Sequence, residues 1–262
     1  NGAQWKLVFD SCNFYMNEGA KVQVRNGAEF YIVNSSFQAC NPEKRWNHIH
    51  LQRNTGANII SRYNLFKDAE NAIITDGCEF NISDCTFKNN NRALQVNSGI
   101  FVNYSSFHSN TIETTVPLYS TTGSYYPEFG VKVISATVSD PLNIGLSFIG
   151  NTFKGSGGTF YAFESDIMLI QNIFEEFNNE SILAGEPEVS EIAYKHMGKS
   201  NMVNPNTVFI NQNLFLNNKV SIDTRKNAEY EITFNKVNKN GMGNIENGIW
   251  LSQFFVSRNN DL

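Results

Sequence analysis

The eleven residues from Phe80 to Asn90, FNISDCTFKNN, decide the fold. Phe80 and Ile82 alternate with Asn81 and Ser83 as a half-buried strand does. Cys85 and Phe87 follow, and an Asn-rich corner closes the phrase with residues that tolerate left-handed backbone. The same phrase returns as LVFDSCNFYMN ending at Asn17, YIVNSSFQAC at Cys40, IISRYNLFKDA at Ala69, IFVNYSSFHSN at Asn110, LSFIGNTFKGS at Ser156, MLIQNIFEEF at Phe177 and VFINQNLFLNN at Asn218. Weaker copies run from Ile232 to Val237 and from Phe255 to Asp261.

Aligned by their aromatic position, the copies give Phe14, Phe37, Phe66, Phe87, Phe107, Phe153, Phe174 and Phe215, with Val237 and Asp261 as degenerate members. The separations are 23, 29, 21, 20, 46, 21, 41, 22 and 24 residues. A period a little over twenty, twice lengthened by an insertion, is the signature of a solenoid. Each repeat shows two short β runs around a Gly or Asn punctuator, such as Ala72 to Ile74, then Asp76-Gly77, then Phe80 to Ile82. Neighbours one coil apart must pair in parallel, so the expected fold is all-β: a single-stranded right-handed parallel β-helix of about ten coils spanning residues 1–262. Helical periodicity is confined to Glu188 to Lys199, where a short helix is expected.

That register predicts three inward ladders. The first is the Phe ladder, and the second is aliphatic, through Ile32, Ile60, Ile82, Val102, Phe148, Leu169, Ile210 and Ile232. The third is polar and stands two residues before each Phe: Cys12, Ser35, Asn64, Cys85, Ser105, Asn151, Asn172, Asn213, Asn235 and Asn259. Short polar side chains there satisfy turn backbone, and stacked amides bond one another.

Composition agrees with stacked strands and tight turns: 17% of the 262 residues are charged and 13% aromatic. A net charge of -5 and a pI near 5.4 leave no basic stripe for nucleic acid. Without a run of eighteen apolar residues the sequence offers no membrane-spanning helix, so no membrane insertion is expected. The chain opens and closes inside repeats, which reads as a segment of a longer protein or as a mature chain with unusual caps. Cys12, Cys40, Cys78 and Cys85 form no CxxC pair. Cys12 and Cys85 hold equivalent ladder positions three coils apart, roughly 14 Å, beyond disulfide reach. All four are expected to be small buried apolar residues. The sequons at Asn34, Asn81, Asn103 and Asn179 read as by-products of an Asn- and Ser-rich repeat.

Three insertions interrupt the period, at residues 38–48, 111–130 and 184–205, and loops on a rigid scaffold are where function is grafted. The first carries Arg45, Trp46 and His48; the second carries Tyr119, Tyr125 and Tyr126. Both are expected to leave from one edge, and the third from another. Gly27-Ala28, Phe30 to Phe37, Cys40, Trp46 to Leu51, Gly56-Ala57, Ile59 to Ser61 and Asp68 to Ile73 together resemble the right-handed β-helix repeat domains of large secreted or cell-surface proteins of the Bacteroidota, of pectate-lyase-like fold. The resemblance covers most of the chain and implies type IX export and surface display, without implying a reaction. The corners Phe14-Asn17, Phe87-Asn90, Phe107-Asn110 and Phe215-Asn218 are also similar to the repeats of autotransported polymorphic outer-membrane proteins, although the paired GGA[IL] half of that pattern is missing.

Glycosidase chemistry needs two carboxylates about 5 to 10 Å apart on one face, and uronate lyase chemistry a cation or Arg beside a base. Asp68 and Glu175 share a coil position in distant coils, Asp76 reads as a turn former and Asp84 as outward-facing, so no catalytic set is assigned. Arg45, Trp46, His48, His50, Arg53, Tyr119, Tyr125 and Tyr126 are instead contact candidates for a glycan or protein partner, with Arg92 nearby; Trp46 also suits packing over its own coil. No cofactor or metal is implied. The expected role is a non-catalytic extracellular spacer with an adhesive or self-assembling surface. The alternative is a carbohydrate-active enzyme or glycan-binding domain.

Overall fold

Strands of three to six residues recur along the chain because αL-prone corners break them at short intervals. The computed structural model describes residues 5–258 apart from 26, 53–56, 102–104, 116–117, 121–122, 126–129, 139–145, 156–159, 176–191, 198–205, 217, 219, 226–227, 239–246 and 252–254. It is an all-β parallel solenoid with three sheets along its length, of ten, nine and nine strands. Among the described residues the first nine coils visit all three, and Phe255–Arg258 adds a tenth strand to the first sheet. The fourth coil does so through Phe80–Ser83, Thr86–Lys88 and Arg92–Asn97, so the repeat carries three strands rather than the two read from the sequence.

A left-handed residue makes the bend between the first and second sheets. Ser11, Asn34, Tyr63, Asp84, Ser109, Gly150, Gln171, Gln212 and Phe234 hold φ between 49° and 64°, and eight of these nine are not glycine. Left-handed backbone costs an L-residue on the order of 1–2 kcal/mol. The residue that follows offsets it. Asn151 Oδ1 accepts the Asn110 backbone N–H at 2.9 Å, while its Nδ2 donates to the Phe107 carbonyl at 2.8 Å and to Asn172 Oδ1 at 2.9 Å. Asn172, Asn213 and Asn235 repeat the pattern, coil on coil. Ser35 does the same work with a hydroxyl that accepts the Cys12 N–H at 3.0 Å.

The aromatic ladder stacks as expected at both ends. Phe14, Phe37, Phe66 and Phe87 follow one another with ring centroids 4.4, 5.6 and 5.0 Å apart, and Phe153, Phe174 and Phe215 at 4.7 and 4.9 Å. Between the two stacks the expected register fails. Phe107 lies in the first sheet opposite Ile82 and Phe148, and Ile112 fills the place between Phe87 and Phe153. Asn110 therefore takes the polar position assigned to Ser105, accepting the Cys85 N–H at 2.9 Å. The aliphatic ladder is corrected in the same way. Ser61, not Ile60, stands in register with Ile32 and Ile82, while Ile60 faces outward and half-exposed. Val102 and Asn259 lie outside the described residues.

The insertions shrink and move. Gln38 and His48 belong to strands, leaving 40–47 as the first insertion; Thr111–Glu113 is a strand, so the second begins at Thr114. Ile192–Met197, expected as part of a short helix, is a strand of the third sheet beside Phe160–Phe163. The third insertion thus divides into 176–191, between the second and third sheets, and 198–205, between the third and first. Of the expected 184–205, the part before Ile192 falls in the chain between the second and third sheets, as the first two insertions do, and only the part after Met197 keeps the separate edge. Cys78 and Cys85 are buried, Cys12 is half-buried, and Cys40 is exposed rather than part of the core.

Candidate functional site

The corner from the second to the third sheet carries the first two insertions, so the outer face of the third sheet is one of the surfaces they border. Its strands alternate inward apolar and outward polar residues, as the period of two requires. Ile49 and Leu51 are fully buried, so His48 and His50 between them point out. In register, His48 lies beside Lys21, and His50 beside Gln23 and Ile74; Ile74 is followed by Gln95 and then Lys132.

Across the second to fourth coils these side chains brace one another. His50 Nε2 donates to Asp76 Oδ2 at 2.6 Å, because an ionised carboxylate can only accept. Asp76 Oδ1 accepts from Asn97 Nδ2 at 2.7 Å, and Asn97 Oδ1 from Gln95 Nε2 at 2.8 Å. Arg92 closes the network, donating to Gln95 Oε1 at 3.3 Å and to Asn71 Oδ1 at 2.9 Å. The His50 and Asp76 side chains remain 19% and 28% exposed, so a partner can reach them. Burial pushes the His48 imidazole below its usual range, helped by the neighbouring His50 and Lys21 and opposed by Asp76.

The remaining candidates divide sharply. Trp46 is fully buried; its Nε1 donates to the Lys67 carbonyl at 2.8 Å and its ring lies 6.2 Å from Phe37. It is a core pillar, packed over its own coil as its ring suited it to be, and leaves the set of contact residues. Arg45 reaches along the corner and donates to the Ala69 and Asn89 carbonyls at 3.2 and 3.1 Å, tying down the next two coils. Asp68, on that corner, has its carboxyl raised by burial against the pull of Lys67 and Arg45. Tyr119 and Tyr125 lie on the two strands of an antiparallel hairpin, Leu118–Ser120 with Gly123–Tyr125. Arg53 and Tyr126 lie outside the described residues. The structure therefore brings His48, His50 and Arg92 onto one wall and removes Trp46 from it.

Sequence reasoning missed Asp76, which ends the strand Asn71–Asp76 rather than making a turn. Its carboxylate meets His50 on a diagonal, two residues past the register partner Ile74, so a search along equivalent coil positions passes over it. It also missed His196. That imidazole is fully buried, with Nδ1 accepting from Tyr230 Oη at 2.6 Å and Nε2 donating to the Ser165 carbonyl at 3.1 Å. Burial lowers it to about 4. Its signal was an apolar-flanked strand, Ile192–Met197, hidden inside an apparent insertion. Among the described residues no three His, Cys, Asp or Glu side chains are grouped to hold a metal, and no helix is long and apolar enough to cross a membrane.

Fold and wall together define the class: a parallel β-helix that offers a polar outer face. Residues 2–127 match the family model described as a right handed beta helix region. Comparison with curated proteins and with solved structures gives no match.

Proposed function

We propose that this chain is a non-catalytic extracellular β-helix module, a rigid spacer whose third-sheet wall and bordering insertions contact a glycan or protein partner. The observation that carries this reading is the closed network from His50 through Asp76, Asn97 and Gln95 to Arg92. Side chains already fixed by one another lose little freedom on binding, which favours recognition of a polar surface. Display on a larger surface protein, exported by a type IX route, is the setting that the sequence resemblance supports, and repeated copies would add avidity.

One observation favours a second reading, a polysaccharide lyase or glycoside hydrolase: His50 and Asp76 form a close, reachable imidazole–carboxylate pair. Incubation with uronate and neutral polysaccharides separates the two. Retention on a glycan or surface-protein array, weakened at least tenfold by Asn97→Ala and Arg92→Ala, with no new reducing or unsaturated ends, supports the module. Appearance of such ends, abolished by Asp76→Asn, establishes the enzyme instead.

A further inference from the structure

The chain has four histidines. His196 is sealed in the core and His108 stands on the first sheet, while His48 and His50 share one strand and one outward face. Their ring centroids are 5.5 Å apart with planes at 83°. Two imidazoles sharing an ion through nitrogen–metal bonds of about 2.0–2.1 Å at a tetrahedral angle have ring centres about 5 Å apart. The pair is thus already spaced for chelation.

Two further observations point to a ligand there. Asp76 takes the Nε2–H of His50, leaving the Nδ1 lone pair as that ring's free donor, and this is how carboxylates orient metal-bound imidazoles. His48, half-buried on the same outward face, has an Nδ1 with no hydrogen-bond partner. An unpaired imidazole nitrogen offers a lone pair that an ion can take. We propose that His48 and His50 chelate one divalent transition-metal ion of the imidazole-preferring kind, Cu²⁺, Ni²⁺ or Zn²⁺, with Asp76 holding the His50 ring in place. Water completes the coordination sphere. With two protein ligands and Lys21 beside His48, binding is readily reversible, and Cu²⁺ is held most tightly. Oxygen-seeking Mg²⁺ and Ca²⁺ are not bound at this pair.

The test is calorimetric titration of tag-free protein with CuCl₂, NiCl₂, ZnCl₂ and MgCl₂, alongside the copper electron-spin spectrum. One Cu²⁺ per chain with nitrogen hyperfine structure is expected, lost on His48→Ala or His50→Ala and unchanged in His108→Ala. Asp76→Asn weakens it about 10- to 100-fold. Both histidines face solvent, and far-ultraviolet circular dichroism verifies that each variant folds. No Cu²⁺ binding, or binding that survives both His48→Ala and His50→Ala, overturns the proposal. Neither outcome bears on glycan retention, which is measured separately in metal-free buffer.

Discussion

Replacing Asn172 by Ala tests the polar ladder where it is deepest. Asn172 is fully buried, and its Oδ1 accepts the Asn151 backbone N–H and side-chain Nδ2, each at 2.9 Å. Its Nδ2 donates to the Phe148 and Ile170 carbonyls at 2.9 and 3.0 Å and to Asn213 Oδ1 at 3.0 Å. Truncation orphans the Asn151 N–H and the Phe148 carbonyl in a place without water. Each buried orphan costs about 1–3 kcal/mol, so Asn172→Ala should lose about 4 kcal/mol. Asn172→Ser should recover about half of that, because a hydroxyl restores one acceptor, as Ser35 does natively for Cys12. Urea denaturation followed by circular dichroism reads both changes as midpoint shifts at constant slope. An Ala variant within about 1 kcal/mol of the parent, or a Ser variant no better than Ala, would refute the reasoning.

Phe87→Ala, which empties a ring site stacked at 5.0 Å on Phe66, should cost about 3–5 kcal/mol, while removal of the exposed Tyr63 ring should cost far less; equal losses would deny the ladder. His196 is held well below its unfolded value near 6.5, so its contribution is fully present above that pH and is lost as pH falls from 6.5 towards 4. The fall should reach about 3 kcal/mol in the parent, and stability profiles should lose that component in His196→Gln, with Asp166 and Tyr230 beside it unchanged; parallel profiles in the two proteins would exclude it. Gly99→Ala would place a Cβ 2.4 Å from the Gly77 Cα, backbone against backbone, and should cost about 1–3 kcal/mol by thermal unfolding. An unaltered midpoint would show that the corner yields freely.

The repeat was legible because its strongest marks, stacked Phe and buried Asn, occur where the coil turns inward. The error at Phe107 came from trusting the ring over its companion. Asn110-Thr111-Ile112 matches Asn151-Thr152-Phe153 in everything but the aromatic, and a buried Ile serves that core position as well. Ile60 misled for the opposite reason, since an outward aliphatic can look like core while Ser61 is the buried residue, hydrogen-bonded to Asn64 Nδ2 at 2.8 Å. The site was legible only in part. His48 and His50 could be placed on one face from alternation, but Arg92, three residues from the outward Gln95, and the diagonal from His50 to Asp76 both depend on strand ends that periodicity does not fix. Trp46, amphipathic by type, was settled by the Lys67 carbonyl waiting for its N–H.

The amide column has a sense of direction. Asn151, Asn172, Asn213 and Asn235 each reach back toward the N-terminus, supplying an oxygen to the ladder N–H of the coil before. A coil is therefore finished only when its successor arrives. A polypeptide that emerges amino end first, from a ribosome or through a narrow secretion pore, would close one rung for each repeat delivered and could assemble like a ratchet, with its growing tip the last part to settle.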